Sequence, residues 1–73
     1  PDTEPMNTVG PGVFEMRIKD ASGIFRAFYL VEFERGILVF HAFKKKTQKT
    51  PGKEIETGRA RLRSFLKELD DET

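Results

Sequence analysis

The sequence predicts an α+β domain, a three-stranded antiparallel β-meander followed by one C-terminal α-helix. Three observations lead there. VFEMRIK (residues 13–19) alternates apolar and charged side chains. IFRAFYLVEF and ILVFHAF are dense in aromatic and branched residues, and short turn clusters separate them. The last third repeats apolar residues at helical spacing.

Residues 1–11 carry three prolines and no apolar period, so they read as a flexible lead-in to a single domain over 12–69. The first strand places Phe14, Met16 and Ile18 on one face and Glu15, Arg17 and Lys19 on the other. A loop at 20–23 then sets Arg17 opposite Arg26 and Glu15 opposite Phe28. It also sets Phe14, Met16 and Ile18 opposite Tyr29, Ala27 and Phe25, a pairing that reads as the core layer. Two arginines side by side repel. Either a carboxylate such as Glu15 or Glu32 neutralises them, or an anion binds between them, and the spacing leaves both readings open.

The third strand forks at its turn. A three-residue loop ending at a left-handed Gly36 puts His41 on the Tyr29 face, and a two-residue Arg35–Gly36 turn puts it on the arginine face beside Phe28 and Leu30. The helix follows, with Thr50 placed to cap it, Pro51 in its first turn, and Ile55, Leu62, Phe65, Leu66 and Leu69 as one apolar stripe. Gly58 weakens it slightly, and residues 70–73 read as an acidic tail. Because the second and third strands are apolar on both faces and one helix covers only one of them, the other calls for a cover. A missing N-terminal segment, a partner protein or a homodimer through that face would supply it.

The net charge of +1 conceals an uneven distribution. All 13 lysines and arginines lie between Arg17 and Lys67, whereas six of the 12 acids lie outside residues 12–67, so that segment carries 13 − 6 = +7. A basic body between acidic ends favours polyanions. Lys44, Lys45, Lys46, Lys49 and Lys53 cluster where a strand gives way to the helix, and Thr47, Gln48 and Thr50 add hydrogen-bonding groups there. Free amides at a helix start attract phosphate, and flanking lysines add salt-dependent attraction to a nucleic-acid backbone. The bland alternative is a solvated basic loop.

Other chemistry finds little support. There is no cysteine and one histidine, so a thiolate or histidine-rich metal site is not expected, and no cofactor motif is visible. No apolar run reaches membrane-spanning length, and the expectation is a soluble, cytoplasmic protein. Nucleophilic triads and paired catalytic carboxylates are not recognisable. An enzyme built on this set would have to work with arginine, lysine, His41 and Tyr29. Such groups suit metal-independent RNA cleavage, in which the 2′-hydroxyl is the nucleophile.

GVFEMRI, FRAFYLV and HAFKKKTQKTPGKEIE together resemble the phage-derived HigB-like toxins of the RelE/ParE superfamily, over roughly residues 12–67. Those proteins carry a Glu-Leu-Arg strand, an Arg-containing strand and a Lys-Lys-Thr-Gln-Lys-Thr-Pro run. Here Met16 replaces the leucine, Ala42 a glycine, and Gly58 a stronger helix former. The family's usual N-terminal strand and helical hairpin are not recognisable, so the resemblance implies a truncated RelE-like fold. It also implies the toxin of a type II toxin–antitoxin pair, an endoribonuclease that cuts mRNA on the ribosome and is held by a helix-turn-helix antitoxin. Carried over by residue, Arg17, Arg26, Lys45, Lys46 and His41 become the catalytic candidates, with Arg26 on the transferring phosphate. Lys44, Lys49, Thr50 and Lys53 become RNA contacts, and no residue is assigned as general base. Two alternatives stand beside this: a non-catalytic module that binds RNA or antitoxin, and a ParE-like toxin directed at gyrase.

Overall fold

A computed structural model describes residues 2–32 and 34–72. It contains β1 (Thr3–Pro5), β2 (Val13–Asp20), β3 (Gly23–Glu32), β4 (Gly36–Lys44) and α1 (Gly52–Glu72). The strands form one antiparallel sheet in the order β1-β2-β3-β4. The class is the expected α+β, but with four strands rather than three.

The additional strand lies in the segment read as a lead-in. Thr3, Glu4 and Pro5 pair with Met16, Glu15 and Phe14, and the Arg17 amide donates to the Asp2 carbonyl at 2.8 Å. Proline removes a ladder donor, which a short edge strand tolerates. Residues 6–13 then turn back on themselves, with the Val9 amide donating to Met6 at 3.0 Å and the Val13 amide to Gly10 at 3.2 Å. That turn inserts Val9 into the core at 5% exposure. Composition alone hid this because the ladder is main-chain and no apolar alternation marks it.

The β2–β3 hairpin has the expected register, including Arg17 opposite Arg26 and Phe14 opposite Tyr29. Asp20 pairs with Gly23 across Ala21 and Ser22, and Gly23 takes φ +139°, a conformation in which a side chain would be strained. The β3–β4 connection adopts neither branch of the fork whole. Gly36 is left-handed at φ +92°, as the longer loop expects, but it pairs with Glu32 and Tyr29 pairs with Val39, a register two residues removed from that loop's and of the same alternation. A bulge then intervenes, because Phe28 pairs with His41 and leaves Phe40 as the extra residue. One inserted residue reverses the alternation, so His41 lies on the arginine face despite the longer loop.

Which face the helix covers is also a correction. The core consists of Val9, Val13, Phe28 and Leu62, with Met6, Leu30, Phe40, Phe43 and Ile55 packed against it. These strand positions share the face of Glu15 and Arg26, and the Phe14–Met16–Ile18 face expected to be core lies away from the helix. Phe14 and Tyr29 stack there at 5.8 Å between ring centroids, and Ile18, Val31, Ile37 and Val39 remain exposed.

The Pro51 carbonyl opens α1 by accepting from the amides of Glu54 at 3.0 Å and Ile55 at 3.2 Å. The expected Thr50 cap does not form, because that hydroxyl is committed elsewhere, as described below. Gly58 faces the completely buried Phe28, and a Cβ on it would lie 2.7 Å from the ring. Its absence of side chain is what lets the helix sit down on β3. The helix runs on through residues 70–72, absorbing most of the segment read as a tail.

Candidate functional site

Residues 45–51 join β4 to α1, with Lys44 and Lys53 flanking them on the two elements, and the path of this segment is set from below. Arg26 and Glu15 project from neighbouring strands on the helix-covered face and are 2% and 3% exposed. Arg26 donates from Nη1 to Thr50 Oγ1 at 2.8 Å and from Nη2 to the Gln48 carbonyl at 2.7 Å. The Thr50 hydroxyl in turn donates to Glu15 Oε2 at 2.6 Å. Glu15 Oε1 lies 3.5 Å from Arg26 Nη1, so the buried charges compensate one another. Arg26 Nε is buried without a partner among the described residues. The planar fork of a guanidinium lets one side chain hold two points of the loop at fixed separation, which a lysine ammonium cannot reproduce.

Above this clamp the loop is basic and accessible. The Lys45 amide ties its start to the Ile24 carbonyl at 2.7 Å, and Thr47 Oγ1 donates to the Lys49 carbonyl at 2.6 Å. Lys44, Lys46, Lys49 and Lys53 are exposed and Lys45 is half-buried. Ile24, Lys45, Lys46, Thr47 and Gln48 line an open depression beside them. The arrangement presents several ammonium groups to a polyanion at a helix start.

The remaining candidates separate from that surface. Arg17 is exposed on β2, where it lines a small hollow with Asp2, Thr3, Glu4 and Glu15. Its surroundings are therefore acidic. Thr50 is partly buried in the clamp and faces protein on both sides of its hydroxyl. His41 is buried between Phe28 and Phe43, at 5.6 and 5.4 Å between ring centroids. Arg61 Nη1 donates to His41 Nδ1 at 3.0 Å, so Nδ1 accepts and Nε2 carries the hydrogen shared with Glu54 Oε1 at 2.8 Å. Both ring nitrogens are thus occupied in joining β4 to α1.

Sequence reasoning did not identify Glu54 and Arg61 as the partners of His41, nor the Gln48 carbonyl as a partner of Arg26. Glu54 and Arg61 are seven residues apart on one helix, a spacing that returns to nearly the same face, but only the bulge at Phe40 brings His41 to meet them. Among the described residues no cluster of three or more metal-ligating side chains occurs, and no helix is long and apolar enough to cross a membrane.

Fold and site together define a small α+β protein with an outward basic loop and an inward layer of paired acids and bases. Comparison then supplies the family: the profile described as Phage derived protein Gp49-like (DUF891) matches residues 1–63, and the chain belongs to that family. No curated protein and no solved structure matches it significantly.

Proposed function

We propose that this phage-derived protein acts on RNA as the toxin of a HigB/RelE-type toxin–antitoxin pair, cleaving message on the ribosome without a metal ion. The observation that carries this reading is the lysine loop: five lysines within ten residues at a helix start, on a backbone held by a buried arginine, threonine and glutamate. In this reading Lys44, Lys45, Lys46, Lys49 and Lys53 engage phosphates. Arg26 acts through the loop it positions, and Arg17 is the exposed arginine nearest to it in the sheet register. The 2′-hydroxyl of the RNA supplies the nucleophile, and the cations stabilise charge on the phosphorane.

One observation favours a second reading, an RNA- or antitoxin-binding protein without cleavage. His41 has both nitrogens occupied and Arg26 both of its terminal nitrogens, so two of the five catalytic candidates are turned to protein. Adding the purified chain to a translating extract and mapping mRNA ends by primer extension separates the two. Codon-phased cuts on ribosome-engaged message support the toxin reading. RNA binding without cuts moves the function to the second, and no RNA binding at low salt overturns the toxin reading and leaves only the antitoxin-binding form of the second.

A further inference from the structure

The depression beside the lysine loop has a lining that phosphate binding does not use. Ile24, Lys45, Lys46, Thr47 and Gln48 form it, and its shape follows from two anchors on β3. The Lys45 amide donates to the Ile24 carbonyl at 2.7 Å, one step beyond the Phe25–Lys44 pair at the end of the β3–β4 ladder. Two residues further along β3, the Arg26 guanidinium holds the Gln48 carbonyl at 2.7 Å. Ile24 and Arg26 lie on one face of the strand, because strand side chains alternate. The chain from Lys45 to Gln48 therefore arches between two fixed points and leaves the half-buried Ile24 as the apolar part of the hollow.

The chemistry of this lining is divided. Lysine ammonium groups donate hydrogen bonds and carry charge, but they accept nothing. The Thr47 hydroxyl already donates to the Lys49 carbonyl at 2.6 Å. Gln48 is exposed and only its main-chain carbonyl enters the clamp, so its side-chain amide brings a neutral donor and acceptor side by side. A free phosphate has no use for Ile24, whose apolar surface suits a ligand with an apolar part. One ligand class meets all of these features, being anionic along its length, flat and apolar on one face, and edged with hydrogen-bonding groups. It is a single-stranded nucleic acid whose base has left the stack.

We propose that this depression receives one unstacked base of a bound RNA strand, with Ile24 against the face of the base, Gln48 reading its edge, and Lys45 and Lys46 on the flanking phosphates. The inference rests on the RNA reading above and adds a base-specific subsite to it. A glutamine amide pairs with an edge that offers one donor and one acceptor, as adenine does at N6 and N7, whereas guanine offers two acceptors at N7 and O6. Adenine is therefore the base expected. The clamp favours such recognition because it fixes the Gln48 main chain before the ligand arrives, so that less order has to be gained on binding.

Fluorescence anisotropy across a salt series tests it, using uncleavable 2′-O-methyl ribose-phosphate chains of one length that carry a single central adenine, a single central guanine or no base. The adenine probe should bind the full chain about tenfold more tightly than the base-free probe and more tightly than the guanine probe, the scale of one bidentate contact. Gln48→Ala should bring the adenine probe to the level of guanine, and Ile24→Ser should bring it close to the base-free probe. Both should keep the salt slope, which counts phosphates rather than bases. Gln48 enters the clamp through its main chain alone, so its variant should retain the fold, and helicity by circular dichroism checks both. Equal binding of the three probes overturns the base subsite and leaves the phosphate contacts standing. Guanine bound as tightly as adenine overturns the assignment of Gln48. An adenine preference that persists in folded Gln48→Ala and Ile24→Ser overturns the proposal too, because the base is then read elsewhere. No binding of any probe at low salt overturns it together with the RNA reading.

Discussion

At the scale of single residues, two positions read as minor or catalytic in the sequence are structural in different ways. Gly58 looks like a flaw, since alanine there gains about 1 kcal/mol of helix propensity. Yet the new Cβ would meet a completely buried Phe28 ring at 2.7 Å, so the ring or the helix must shift. Gly58→Ala should therefore lower stability by about 1–3 kcal/mol, read as a lower urea midpoint, and an unchanged midpoint would show that the helix can lift at no cost. Arg26 presents the opposite case. Arg26→Ala leaves Glu15 buried without its cation and should cost about 3–5 kcal/mol in the same assay. The exposed lysines should instead alter binding alone. Lys49→Gln should reduce the salt slope of RNA binding by about 1 with the urea midpoint unmoved, whereas Arg26→Lys should leave the slope unchanged in the folded protein. A reduced slope for Arg26→Lys would mean that this side chain reaches phosphate after all.

At the scale of elements, the two hairpins show what a sequence discloses about register and what it conceals. The β2–β3 register was legible because VFEMRIK alternates cleanly and Asp20, Ser22 and Gly23 specify a tight turn. Asp20 accepts from the Ser22 hydroxyl at 2.6 Å and the Ser22 amide at 2.7 Å, which hold its carboxyl below the ordinary 3.8. The charged form is favoured in the folded state. Its contribution is present above the unfolded value and fades as pH falls through the lowered folded one. Asp20→Asn should thus narrow the gap in melting temperature between pH 6 and acid conditions, and an unchanged gap would show that the turn does not sense the charge. The β3–β4 register was not legible in the same way. ILVFHAF has no polar residue before His41 to reveal an alternation, so an extra residue at Phe40 leaves no mark in the pattern. β1 was missed for a related reason, since a three-residue edge strand holding Thr3, Glu4 and Pro5 has no apolar face to declare itself.

At the scale of the whole molecule, alternation separated the two faces of the sheet correctly but did not say which one the helix would choose. Phe14, Met16 and Ile18 are the greasier set, yet α1 lies over the face that also contains Glu15, Arg26 and His41. That choice is stable because the buried groups are matched: the arginine to threonine, glutamate and a loop carbonyl, the histidine to a glutamate and an arginine of the helix. Burial of a charge is tolerated when partners await it. The basic loop therefore belongs to the same design as the core, since the clamp that satisfies the interior also fixes the lysines. The consequence for the opposite face is an apolar surface whose outer corner contributes little to folding. Val31 and Ile37 stand opposite each other in the β3–β4 ladder and are 60% and 66% exposed. Replacing both by threonine keeps β-branched side chains suited to a strand while removing apolar surface from water. Stability of Val31→Thr/Ile37→Thr should stay within about 0.5 kcal/mol of the parent, as for other exposed positions. Its solubility limit should rise, because the face left open by the helix is where unrelated chains would adhere. A clear loss of stability in dilute solution would mean instead that this corner is covered in the folded protein, and the occupant of the open sheet face would become the next object to identify.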